Sequence, residues 1–137
     1  MPYDPGMIRS FTVLALTALL SGSAVSVAGA QPEQNGCTYV LSAPSVVNVS
    51  GTDMVTARVN IGACDGAVTY QTTACISLHG ADDAGHCAQG RGILPAQVFF
   101  QPYRPGATYT ATGRGCASKG NPPQKYCQEV GPFTATL

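Results

Sequence analysis

His79, Asp82, Asp83 and His86 bring two imidazoles and two carboxylates within eight residues, the most obvious place to hold a divalent metal. The spacing fits no known cage. Zinc sites take ligands in defined pairs on rigid elements, and calcium loops place oxygens at alternate positions. The run His79-Gly80-Ala81-Asp82-Asp83-Ala84-Gly85-His86 reads instead as a solvated turn, so no metal and no cofactor is expected. Catalysis finds little support elsewhere. The chain has no G-x-S-x-G elbow, both histidines sit in this one loop, and the side chains of adjacent Asp82 and Asp83 diverge on extended backbone. The sequence predicts a protein that is not an enzyme.

The other reactive groups are six cysteines: Cys37, Cys64, Cys75, Cys87, Cys116 and Cys127. None forms a C-x-x-C pair, and all follow a stretch with the order of a secretory leader. An even cysteine count in a short exported chain reads as a disulfide framework, which removes thiolate nucleophiles. In the leader, Arg9 precedes the apolar run Phe11 to Leu20, and small residues lead to Ala28-Gly29-Ala30. That order predicts a signal peptide over 1–30, cleaved before Gln31, with Ser26-Val27-Ala28 as a neighbouring site. The apolar core is about half of the roughly 20 residues that a spanning helix needs. Serine occupies the position where a lipidated cysteine would stand in Leu20-Ser21-Gly22-Ser23, and there is no twin arginine. Secretion is expected, with cell-wall association as its nearest variant.

Removing 30 of 137 residues leaves 107, enough for one domain. Six basic and six acidic residues remain after Arg9 and Asp4 are removed, so the mature net charge is zero. That balance predicts neither nucleic acid nor an anionic membrane as partner. Residues 31–36 are expected to be disordered, and 37–137 to form the domain.

Period-two alternation runs through that domain. Tyr39 to Val49 reads as a first strand bent at Pro44, followed by a turn at Ser50-Gly51-Thr52-Asp53. Val55, Ala57, Val59 and Ile61 then alternate with Thr56, Arg58 and Asn60. After Asp65-Gly66, the residues Val68, Tyr70, Ala74, Ile76 and Leu78 share one parity and are expected to face the core. Cys87 to Gly92 is a glycine-broken edge strand, Ala96 to Gln101 a firmer one, and Val130 to Leu137 the last.

Strand order suggests which cysteines meet. Cys37 opens the first strand and Cys64 closes the second. Cys75 and Cys87 flank the histidine loop, and Cys116 and Cys127 flank the loop before the last strand. The simplest solution is Cys37–Cys64, Cys75–Cys87 and Cys116–Cys127. Fifteen pairings are possible, however, and four of these cysteines fall at one end of a sandwich, where they could exchange partners.

Pro105-Gly106-Ala107-Thr108-Tyr109-Thr110-Ala111 resembles the turn-then-strand element of fibronectin type III modules. The resemblance implies an antiparallel immunoglobulin-like β-sandwich of about seven strands, with Tyr109 folding its hydroxyl back onto the preceding turn. Tryptophan is absent, and Ala111 stands where an immunoglobulin inter-sheet cysteine would be. Low charge, export and these spacings also resemble small secreted proteins of actinobacteria, mycobacteria in particular; that likeness implies a location and little chemistry.

The candidate binding residues lie in Ala117-Ser118-Lys119-Gly120-Asn121-Pro122-Pro123-Gln124-Lys125-Tyr126, read as a long loop bridged at its base. Lys119, Lys125 and Tyr126 supply cations and an aromatic on a proline-stiffened backbone, and binding residues concentrate on such loops. The expected function is therefore a secreted, monomeric, non-catalytic protein that binds another protein or an envelope component. Two other classes compete. A protease inhibitor would present Ser118 to Gln124 with Lys119 in a pocket for basic residues. A carrier would hold an apolar ligand in a cleft of the sandwich. The triplets Gly90-Arg91-Gly92 and Gly113-Arg114-Gly115 look like RNA-binding segments, but in an exported neutral chain they are expected to mark bulges or close strand approach.

Overall fold

In the computed structural model, which describes residues 36–82 and 84–137, the chain forms eight β-strands. They are β1 (Cys37–Leu41), β2 (Ser45–Val49), β3 (Thr52–Cys64), β4 (Val68–Leu78), β5 (His86–Arg91), β6 (Ala96–Phe100), β7 (Thr108–Lys119) and β8 (Gln124–Thr136). The expected signal peptide over 1–30 lies outside the described residues, as does the expected disordered stretch except for Gly36, which is buried against Tyr126.

The strands make two antiparallel sheets. In the first, β1 and β2 pair with opposite halves of β3 and β6 pairs with β3 as well; the second runs β5-β4-β7-β8. Eight strands rather than seven arise at Ser42–Pro44, where the expected bent first strand divides into β1 and β2. Proline has no N–H to give the ladder. Ser42 keeps the gap attached: its N–H donates to the Arg58 carbonyl at 2.9 Å, and its hydroxyl accepts from the Arg58 N–H at 2.8 Å.

Alternation on β3 buries Val55, Ala57 and Val59, and these pack with Leu41, Val98 and Phe100 against Ile76, Tyr109 and Ala111 of the second sheet. Turn chemistry fixes the β2–β3 register. Ser50 and Gly51 both take positive φ, 51° and 85°, the twist a two-residue hairpin needs. Asn48 braces that turn by accepting from the Gly51 N–H and donating to Asp53.

Parity on β4 differs from the sequence expectation. The ladder to β7 slips between Thr69 and Gln71, so Tyr70 is an extra residue in a bulge. Val68 and Tyr70 therefore turn outward, 61% and 36% exposed, while Thr69 and Thr72 are buried instead. Neither threonine is left unpaired. Thr69 shares a 3.0 Å hydroxyl hydrogen bond with Tyr39, and Thr72 donates to the Leu94 carbonyl at 3.1 Å.

Tyr109 is fully buried and stands edge-on to Phe100. Its hydroxyl folds back onto the chain before β7, accepting from the Arg104 N–H at 2.8 Å and donating to the Pro102 carbonyl at 3.1 Å. Removing that oxygen leaves a backbone donor and a backbone acceptor without their partner. Tyr109→Phe is expected to cost about 1–3 kcal/mol in a urea unfolding measurement. A change below a few tenths would show that water satisfies both groups.

Candidate binding surface

Chain reversal between β7 and β8 takes only four residues. The loop expected over 117–126 is reduced to the turn Gly120–Asn121–Pro122–Pro123, with Gly120 at φ 88°. The flanking residues belong to the ladder, where Ala117 faces Tyr126, Ser118 faces Lys125 and Lys119 faces Gln124. Cys116 and Cys127 face one another one rung further in and are bonded, so the disulfide crosses the hairpin instead of closing a loop. The other two bridges have the same form: Cys37 is bonded to Cys64 and Cys75 to Cys87, each pair directly opposed in its ladder. No cysteine is free among the described residues.

The ladder distributes the three candidate residues. Lys125 points to the outer face of the second sheet, with its Nζ 5.8 Å from the centroid of the Tyr70 ring. Tyr70 in turn places its hydroxyl 3.8 Å from Cys127 Sγ. Lys119 extends to the Asp65-Gly66 turn, where Nζ lies 3.5 Å from the Asp65 carboxylate. Tyr126 shares the inward parity of buried Ala117, and its hydroxyl donates to Gln124 at 2.7 Å. All three are at one end of the sandwich. Only Lys125 joins Tyr70 and the disulfide.

Val68 and Tyr70 are thus surface residues that sequence reasoning assigned to the core. The sequence carries no signal for the bulge: Thr72 stays in phase with buried Ala74 and Ile76, and the slip lies before it, between Thr69 and Gln71. The turn between β5 and β6 adds Ile93 and Leu94, both mostly exposed. The Gly92 N–H donates to the Tyr70 carbonyl, which brings this turn beside the Tyr70 bulge. A cation–π contact of this exposed kind contributes about 0.5–1 kcal/mol, so it orients Lys125 without sequestering it.

The histidine loop is at the opposite end of β4. The Cys75–Cys87 bridge spans its mouth, and His86 packs edge-on to Phe100 at 5.1 Å. His79 instead lines a groove of about 340 Å³ with Asp82, Arg104 and Pro102. Phe100 also lines that groove, so the two imidazoles share one aromatic neighbour. Asp83 lies outside the described residues, among which no group of three or more His, Cys, Asp or Glu side chains could hold a metal ion. Nor does any helix among them have the length and apolarity to cross a membrane.

No protein-family model matches the chain, and no curated protein or solved structure is similar to it.

Proposed function

We propose that this is a secreted, non-catalytic binding protein that contacts its partner with the β7–β8 hairpin end of the second sheet. The observation carrying the reading is the grouping of Val68, Tyr70 and Lys125 by the Cys116–Cys127 bridge, with Tyr126 and Lys119 on the other face of the same hairpin end. Aromatic and basic side chains in rigid settings contribute most of the energy in many interfaces. The bridge and the short turn hold these residues in place before any partner arrives, which lowers the ordering cost of association. Three disulfides fit an oxidising compartment. Secretion from an actinobacterial cell and a monomeric state belong to the same proposal.

The fold is proposed to be immunoglobulin- or fibronectin type III-like. Counting β1 and β2 as one interrupted strand gives seven, arranged as three against four. The Tyr109 hydroxyl, bonded to backbone just before β7, supports the same assignment.

The hairpin geometry does not favour the inhibitor alternative. Lys119 stands in the ladder opposite Gln124 and is paired with Asp65, so it is not displayed on an extended loop. An apolar carrier would want an enclosed cleft. The groove of about 360 Å³ on the second sheet is on its outer face.

Affinity capture with the intact protein from envelope extracts, followed by variants, tests the proposal. Lys125→Ala with Tyr126→Ala should weaken capture more than tenfold, equivalent to about 1.4 kcal/mol. Asp82→Ala with Asp83→Ala should do much less. A larger effect from the acidic pair would move the binding site to the histidine loop.

A further inference from the structure

Charge is distributed unevenly over a chain whose net charge is zero. The strands of the second sheet carry Arg91, Arg114, Lys119 and Lys125 against a single acid, Glu129, giving 4 − 1 = +3. Among the described residues the one ion pair is Lys119 with Asp65, which leaves Arg91, Arg114 and Lys125 outside any salt bridge. Register puts all three on the outer face. Gln71 faces both Arg91 and Cys116, Thr73 faces Arg114, and Ser118 faces Lys125. With strands about 4.8 Å apart and a rise of about 3.4 Å per residue, the backbone positions of the three form a triangle with sides of roughly 12–16 Å.

Between those cations the face is mostly polar; its one acid, Glu129, stands opposite Arg114 in the ladder and lines the groove with it, so the face carries 3 − 1 = +2. Gln89 and Gln71 lie beside Arg91, and Thr73 and Thr112 line the 360 Å³ groove next to Arg114. The bulge between Ala111 and Gly113 interrupts the β7–β8 ladder at that groove. Tyr70 provides the aromatic surface at one end.

We propose that the outer face of the β5-β4-β7-β8 sheet docks an anionic polysaccharide. This rests on the reading that the hairpin end of the second sheet is a binding surface, and names the chemistry of the partner. Amide and hydroxyl side chains both donate and accept, as sugar hydroxyls require. A tyrosine ring offers a flat apolar surface to the C–H face of a pyranose. Three cations rooted on three different strands suit a polymer with recurring acidic groups better than one phosphate headgroup. An acidic peptide could match the charge, but it would leave the flat field of Gln and Thr side chains without a role. A bilayer would require apolar side chains across the face, and Val68 and Tyr70 lie only at its end.

The test is titration calorimetry of the disulfide-intact protein with polygalacturonate and heparin, alongside neutral dextran, polyglutamate and phosphatidylglycerol vesicles. Both acidic polysaccharides should bind, more weakly as salt screens the charges, and dextran should not. Arg91→Gln with Arg114→Gln and Lys125→Gln should reduce affinity at least tenfold at an unchanged thermal midpoint. Tyr70→Ala should reduce it severalfold while leaving the salt dependence as it was, which a purely ionic attraction would not predict. Equal affinity for polyglutamate, binding to vesicles alone, or an unaffected triple variant would each overturn the proposal. If neither polysaccharide binds while Lys125→Ala with Tyr126→Ala still weakens capture from extracts, the polysaccharide assignment fails and the binding surface stands.

Discussion

Reduction of the three disulfides should unfold the protein at ordinary temperature, and the Cys37–Cys64 bridge should contribute most. Closing a chain segment removes conformational entropy from the unfolded state, more for longer segments. The separation of 27 residues for Cys37–Cys64 corresponds to about 3.5 kcal/mol. The separations of 12 and 11 residues correspond to about 2.8 kcal/mol each. Small domains typically have about 5–15 kcal/mol in total. Packing adds to the difference. Cys37 is buried at the end of β1 beside Ala67, so its replacement by alanine also leaves a void, whereas Cys75 and Cys87 lie on the outer face of their sheet. Urea midpoints of the three paired Cys→Ala variants decide the order. A Cys75/Cys87 variant less stable than the Cys37/Cys64 variant would show that loop length and burial do not govern this framework.

Some of that framework was legible because alternation and turn chemistry agreed. Val55, Ala57, Val59 and Ile61 could face only one way, and Ser50-Gly51 is a turn in any context. Where one residue shifts parity, the alternation misled. The bulge at Tyr70 has no strong local signature, since any residue can occupy it, and it reversed the faces of Val68 and Tyr70. The hairpin end was misread for a different reason. Ser118, Lys119, Gln124 and Lys125 are polar residues around Gly-Asn-Pro-Pro, and polar strands that face solvent have a loop's composition. The candidate surface was accordingly half visible. Lys125 and Tyr126 could be chosen by chemistry, but which of them meets Tyr70 depends on ladder register across three strands.

Gly115→Val should be among the most damaging single substitutions in the domain, while Arg114→Ala beside it should change stability little. A side chain at Gly115 would enter the ring of Tyr39, whose nearest atoms would be Cδ1, Cε1 and Cζ. That ring cannot easily retreat. It is buried in the core, and its hydroxyl is held by buried Thr69. Gly113 is similarly confined, with Val59 Cγ2 and Val130 Cγ2 2.6 and 2.8 Å from the position of an added Cβ. The glycines of this Gly-Arg-Gly triplet thus let the two sheets approach, and its arginine faces solvent. Overpacking of this kind typically costs about 1–3 kcal/mol and occasionally more, and a domain of this size loses roughly 4–8 °C of Tm for each kcal/mol. Surface changes such as Arg114→Ala usually stay within about 0.5 kcal/mol. Calorimetric melting of Gly115→Val, Tyr39→Leu and the double variant identifies the cause. Tyr39→Leu should recover part of the loss from Gly115→Val, because residues in contact couple by about 0.5–3 kcal/mol. Strictly additive losses would mean that Gly115 is required for its backbone and not for the space it leaves to Tyr39.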